Sequence, residues 1–245
     1  MQPMSEPMTL TPTKLSPRDQ SLVKVHSFVA SAYKRGPDNL TKWSESDVND
    51  LQNRAIQIAD TISTAHIISP SQEPGKIPLV VSVSSNTGVI EGELASKLGP
   101  DFDVFAGDIA SVQRVGSCAT PLRLDASFLP FANESVAAIL DFKGAIWHEA
   151  GMDVELKSSS AENLLDIFSR LHEKLQAGGV IIVDDNEIPN PKLPVTGAEI
   201  DKALKISGKQ IDGFDVQTIG KGDGRLRVYK KPVLIEYPSP ASLML

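Results

Sequence analysis

Four short segments carry residue types that could do chemistry. Leu79-Val80-Val81-Ser82-Val83-Ser84-Ser85-Asn86-Thr87-Gly88 is an apolar run followed by small polar residues and a glycine, and it leads into a helical pattern. In that layout, backbone N–H groups at a helix N-terminus meet a ligand. Gly107-Asp108 closes the next apolar run and places a carboxylate where a ribose would lie, although an Asp in this position also serves as a helix cap. Asp125-Ala126-Ser127-Phe128-Leu129-Pro130-Phe131 offers a second carboxylate, either for a ligand or for an Asx turn. Finally Asp141-Phe142-Lys143-Gly144-Ala145-Ile146-Trp147-His148 brings an imidazole that titrates near neutrality and could take a proton from an attacking hydroxyl or amine. The alternative for His148 is a surface or capping role; Trp147 is more often a packing residue than a substrate wall, though its place makes it a pocket candidate.

The elements that must hold these residues follow from periodicity. From Ile77 onward, short apolar runs alternate with helical segments, the pattern of a parallel sheet built from βαβ units. Strands are expected at 79–83, 103–106, 121–124, 136–141, 180–184, 214–219 and 226–229. Helices are expected at 91–98 and 162–175, the second through Leu164, Leu165, Phe168, Leu171 and Leu175 and ended by Gly178-Gly179. The last two strands are joined by Gly-Lys-Gly-Asp-Gly, a hairpin signal, so the sheet finishes antiparallel.

Two amphipathic helices precede this region. The first is expected from Pro17 to Lys34 behind a capping Ser16, and the second opens near Ser46 with Val48, Leu51, Ala55, Ile58, Ala59 and Ile62 on one face. They could form a lid, a dimer surface or plain packing. Residues 1–15, with Pro3, Pro7 and Pro12 among small polar residues, read as a disordered tail, and 69–78 is the clearest linker. The expected organisation is therefore a tail (1–15), a helical extension (16–76), the main domain (77–231) and a C-terminal tail (232–245).

Taken in order, the four segments, together with the Gly178-Gly179 turn and the strand to Asp184, resemble the class I S-adenosylmethionine-dependent methyltransferases. The similarity is greatest to the small-molecule, type 11-like members with an Asp-Ala-x-x-Leu-Pro-Phe segment. It covers 77–231. The resemblance implies an α/β fold: a Rossmann-like, seven-stranded mixed sheet with helices on both faces, bearing here an N-terminal helical extension. It implies S-adenosyl-L-methionine as cofactor, lying across the carboxyl ends of the first strands. Ser84, Asn86 and Gly88 would approach its methionine part, Asp108 would bind the ribose hydroxyls, and Asp125 with Ala126 would flank the adenine. Ser82, where the family has an acidic residue, and Asp141 after the fourth strand are counted with them. Trp147 and His148 fall where the family places substrate-facing and catalytic groups.

The sequence departs from the family in two places. Ser84 and Asn86 replace two of three glycines, and the connection from Asp108 to Asp125 is short for a full crossover helix. Both departures keep a second reading open, a methyltransferase-fold protein that acts as a binding or scaffold subunit. A third reading, a nucleotide-dependent oxidoreductase, draws on Thr87-Gly88-x-x-x-Gly92 but lacks a Tyr-x-x-x-Lys pair anywhere in the chain.

Composition limits the partners. In 245 residues, 24 basic against 31 acidic side chains give a formal charge of −7, the wrong sign for a surface that neutralises phosphates, and aromatics at 5% are sparse for base stacking. A small-molecule substrate is expected, and nucleic acid is not. The single cysteine, Cys118, excludes an intrachain disulfide and a cysteine metal cluster. His26, His66 and His172 have no metal-ligand spacing, so no metal is expected, and His172 is expected to face solvent. Asp184-Asp185-Asn186-Glu187 could attract a cation, but acidic residues at a sheet's carboxyl edge are more often solvated loop groups. With no membrane span or targeting segment evident, the expected location is the cytoplasm.

Overall fold

The computed structural model describes residues 45–67, 76–85, 89–108, 119–142, 145–146, 150, 158–185, 196–221 and 225–233. The helix expected at 17–34, the N-terminal tail and the C-terminal tail beyond residue 233 lie outside them. The elements are α1 (Glu45–Ile67), β1 (Leu79–Ser82), α2 (Val89–Leu98), β2 (Asp103–Asp108), β3 (Thr120–Arg123), β4 (Val136–Asp141), α3 (Ser158–Lys174), β5 (Leu175–Asp184), α4 (Thr196–Ser207), β6 (Asp215–Ile219) and β7 (Leu226–Lys230).

All seven strands form where the apolar runs place them, in one sheet of order β3-β2-β1-β4-β5-β7-β6. The first five strands are parallel, and β7 pairs antiparallel with both β5 and β6. Strands β4 and the end of β5 are buried on both faces, which is why they read as unbroken apolar runs. One core layer joins the sheet to α3 and α4 through Val81, Ile139, Leu164, Phe168, Ile181 and Tyr229. The opposite layer joins it to α1 and α2 through Ile58, Ile62, Val80, Leu94, Leu140 and Ile182. Helix α1, expected within an extension, thus packs into the core of the main domain, against α2, β4 and β5.

Most ends shift by a few residues; the two larger departures from the sequence reading are the start of β5 and an additional helix. Helix α3 ends at Lys174, and β5 begins at once: Leu175 pairs with Val136, the register then shifts, and Ala138 pairs with Val180. Gly178, at φ 75°, makes that irregularity possible, because only glycine adopts this conformation without a Cβ penalty. Helix α4 was not anticipated; only Ile200, Ala203 and Leu204 bury its apolar side, a stripe too narrow to stand out.

Helix α1 is fastened to the carboxyl end of the sheet by Arg54, whose Nη2 lies 2.6 Å from Asp184 Oδ1 and whose guanidinium sits 5.8 Å from the Phe142 ring centre. Burial outweighs the attraction of Arg54 and pushes the Asp184 carboxyl up to about 6 from its ordinary 3.8. The folded state therefore holds this proton more tightly than the unfolded chain does. The stability Asp184 contributes is complete below about pH 4 and is lost as pH rises through about 6, on the order of 2–3 kcal/mol. Asp184→Asn keeps an acceptor for Arg54 and removes the titration. Measured by denaturant unfolding, the stability of this variant relative to the parent should improve by that amount between pH 4 and pH 7.5; a constant difference would show that Asp184 ionises in the fold without penalty.

Candidate functional site

Strands β2 and β4 leave β1 on opposite sides, so the chain reverses direction at the carboxyl end of β1, where open α/β sheets form their ligand crevice. The backbone pins that end from both sides. Val83 N donates to Leu140 O at 2.9 Å, and Ser85 N donates to Gly107 O at 2.9 Å. The Ser82–Ser85 segment therefore hangs between β4 and the Gly107-Asp108 end of β2. Gly107 is required here. A Cβ on it would stand 2.5 Å from the Ser82 carbonyl oxygen and 2.4 Å from Leu124 Cδ2.

Asp108 lies at this crevice, 2% exposed, and its backbone carbonyl accepts from Leu124 N at 3.0 Å. The β2–β3 pairing ends at Asp108 opposite Arg123, so Asp125 follows two residues beyond on the same rim. Asp125 Oδ1 accepts from Ser127 N at 2.7 Å, the Asx turn that was one of its two readings. Ala126, 1% exposed, is packed in the core beside Leu129.

On the β4 side, Asp141 is fully buried and its carboxylate is engaged. Oδ1 accepts from Ala145 N and from the Ser84 hydroxyl, both at 2.9 Å, and Oδ2 accepts from Ile146 N at 2.9 Å. Ser84 Oγ in turn accepts from Phe142 N at 3.1 Å. This clasp ties the end of β1 to the turn after β4. Ser84, standing where the family has a glycine, turns its side chain toward Asp141.

The hydroxyls of Ser82 and Ser85 are buried and have no hydrogen-bond partner among the described residues. Unpaired buried hydroxyls are costly unless something completes them, so at a crevice they fit a polar ligand. Together with Asp108 they offer hydrogen-bonding groups to a nucleoside on the β1–β2 side. The residues present therefore fit such a cofactor there. Asn86, Gly88, Trp147 and His148 lie outside the described residues.

Other sequence candidates resolve into structural contacts. Asp184 meets Arg54, and Asp185 lies 3.1 Å from both Arg225 Nε and Arg227 Nη2, so arginines face both acids. No group of metal-binding side chains occurs among the described residues. His172, expected to face solvent, is half-buried: its ring meets Phe214 edge-on at 5.0 Å and lies under Gly213. Burial, and then the nearby Lys231 ammonium, lower its pKa. Sequence reasoning missed Ser85, Gly107 and the Arg54–Asp184 pair. Only Gly107 carried a signal, an isolated glycine within a strand pattern, which marks close backbone approach.

No family model matches the chain, and no curated protein matches it. Solved structures do. The DszA carbon methyltransferase superposes with a TM-score of 0.51 at 14% identity, over 82% of this chain and 57% of that one. The Burkholderia thailandensis 1,6-didemethyltoxoflavin-N1-methyltransferase, solved with 1,6-didemethyltoxoflavin and S-adenosylhomocysteine, matches at 0.47 and 16% identity over 91% of this chain and 93% of that one. An Aquifex aeolicus SAM-dependent methyltransferase matches at 0.45 and 13% over 79% and 100%. The fold is that of the class I S-adenosylmethionine-dependent methyltransferases. No helix among the described residues is long and apolar enough to cross a membrane.

Proposed function

We propose that the protein is an S-adenosylmethionine-dependent methyltransferase acting on a small-molecule nucleophile. The observation that carries this reading is the crevice at the end of β1, where Ser82 and Ser85, whose buried hydroxyls have no partner among the described residues, flank the Gly107-Asp108 end of β2. When bound, the cofactor supplies a sulfonium-linked methyl group, displaced in line as a substrate lone pair bonds to the methyl carbon and the carbon–sulfur pair returns to sulfur. The chain's task is chiefly alignment. In this reading Asp108 accepts hydrogen bonds from the ribose hydroxyls, and Asp125 and Ala126 border the adenine. Ser82, Ser84, Asn86 and Gly88 line the methionine end, with Asp141 holding Ser84 in place. Trp147 and His148 follow the Asp141 turn, so Trp147 forms a substrate wall and His148 takes the proton released by the nucleophile.

Calorimetric titration with S-adenosylmethionine, S-adenosylhomocysteine and NAD tests the reading. We expect micromolar binding of the first two and none of NAD. Asp108→Ala should weaken binding roughly 10- to 100-fold, the worth of hydrogen bonds to a charged group, in protein that remains folded. Unchanged affinity would remove Asp108 from the site.

The Ser84–Asp141 clasp favours a second reading, a methyltransferase fold retained as a binding or scaffold subunit. It fills with a side chain a position that the family leaves as glycine. Folded protein that gives no heat with either sulfur cofactor would establish that reading over the first.

A further inference from the structure

A cavity of about 570 Å³ opens on the flank of the sheet between α4 and the β6–β7 hairpin. Its strands lie beyond β4 and β5 from β1, well away from the crevice described above. Leu204 and Ile211 give it apolar walls, and Val216, 51% exposed, adds a third. This volume is within the range of pockets that enclose small organic ligands.

Two residues that line this cavity each carry a buried donor with no well-aligned acceptor among the described residues. The Tyr229 side chain is 2% exposed, and its hydroxyl has no hydrogen-bond partner among the described residues. Burial raises its pKa, so the phenol stays protonated and remains a donor. Arg227 uses Nη1 on the Gly197 carbonyl and Asp201, and Nη2 on Asp185, yet its Nε is buried and unpaired. The guanidinium is close enough to the Tyr229 hydroxyl to interact with it, but the pair is not aligned as a full hydrogen bond. An O–H and an N–H side by side match the two oxygens of a carboxylate.

Charge agrees with a single negative group. Asp185 and Asp201 are balanced by Arg225 and Arg227, and Lys209 is paired with Glu162 at 3.0 Å. Lys205, which lines the same cavity, has no ion pair among the described residues and leaves one positive charge in surplus. We infer that this cavity is a binding site for a small organic monocarboxylate with an apolar body, its carboxylate received by Tyr229 and Arg227 and its body by Leu204, Ile211 and Val216. The site is separate from the cofactor crevice and goes beyond the proposed methyl transfer.

The test is an NMR titration of the full chain with benzoate and phenylacetate, with benzamide as the neutral control. Binding should perturb the amides of Leu204, Val216 and Tyr229, with benzamide at least tenfold weaker. Tyr229→Phe removes only an unpaired hydroxyl, so the free protein should be no less stable while benzoate binding falls tenfold or more. Lys205→Glu, on the surface, should also weaken benzoate and leave benzamide unchanged. No perturbation by either acid, equal binding of benzamide, or full affinity in both variants would overturn the assignment. So would perturbations confined to Ser82–Ser85 and Asp108, which would place the acids in the cofactor crevice instead.

Discussion

Asp141→Ala should destabilise the protein by about 3–5 kcal/mol in denaturant unfolding, a large share of the stability of a domain this size. The reason is local and countable. Removing the carboxylate leaves the Ala145 and Ile146 amides and the Ser84 hydroxyl without their acceptor at a fully buried position. Each such group costs about 1–3 kcal/mol when unsatisfied, and partial rearrangement of Ser84 keeps the sum below the maximum. Asp141→Asn retains one acceptor oxygen and the shape, and should lose roughly half as much. A loss under 1 kcal/mol for the alanine variant would mean that the fold does not need the carboxylate, and would return Asp141 to the ligand.

That experiment bears directly on what a serine does at position 84, where the methyltransferases that the sequence resembles carry a glycine. A glycine at position 84 would take the hydroxyl away from Asp141 and leave the Ala145 and Ile146 amides in place. The serine adds a third bond and links β1 to the turn after β4, so substitution and clasp belong together. Ser84→Gly therefore exposes both sides of having a serine here: the crevice gains room, and the β4 turn loses one of its ties.

The sheet was legible because a strand buried on both faces needs an unbroken apolar run. Val136–Asp141 and Val180–Asp184 have no other reading in this context. Helix α3 was legible for the same reason in another period, since Ala161, Leu164, Phe168 and Leu171 all bury one side. What was not legible depends on strand neighbours. Ser84 and Asp141 stand 57 positions apart, and Arg54 and Asp184 stand 130 apart. Nothing local in either partner announces the other; the pairs exist only because β4 lies beside β1 and α1 lies across β5. Asp125 was legible in type but open in role, because a carboxylate after a strand serves a turn and a ligand equally well; here its Oδ1 accepts from Ser127 N.

Gly107→Ala should be the other substitution of large effect, and it separates fold from site in a way that Asp141→Ala does not. Alanine in a strand would ordinarily be favoured over glycine by roughly 0.5–1 kcal/mol through lower backbone entropy. Here the new methyl would stand 2.5 Å from the Ser82 carbonyl oxygen, a backbone atom fixed by strand pairing, as well as 2.4 Å from Leu124 Cδ2. Leu124 can change rotamer; the Ser82 carbonyl can move only if β1 and β2 part. Overpacking of this kind costs about 1–3 kcal/mol, and the net loss on unfolding should fall near the upper end, about 2–3 kcal/mol. The displacement would fall where Ser85 N bonds Gly107 O and where Asp108 begins, so binding of S-adenosylhomocysteine should weaken at least tenfold in protein that is still folded. Stability lost with binding intact would mean that the strands part without disturbing the crevice, and that the cofactor does not rest on the β1–β2 edge. Both losses together would tie the close approach of these two strands to the site itself.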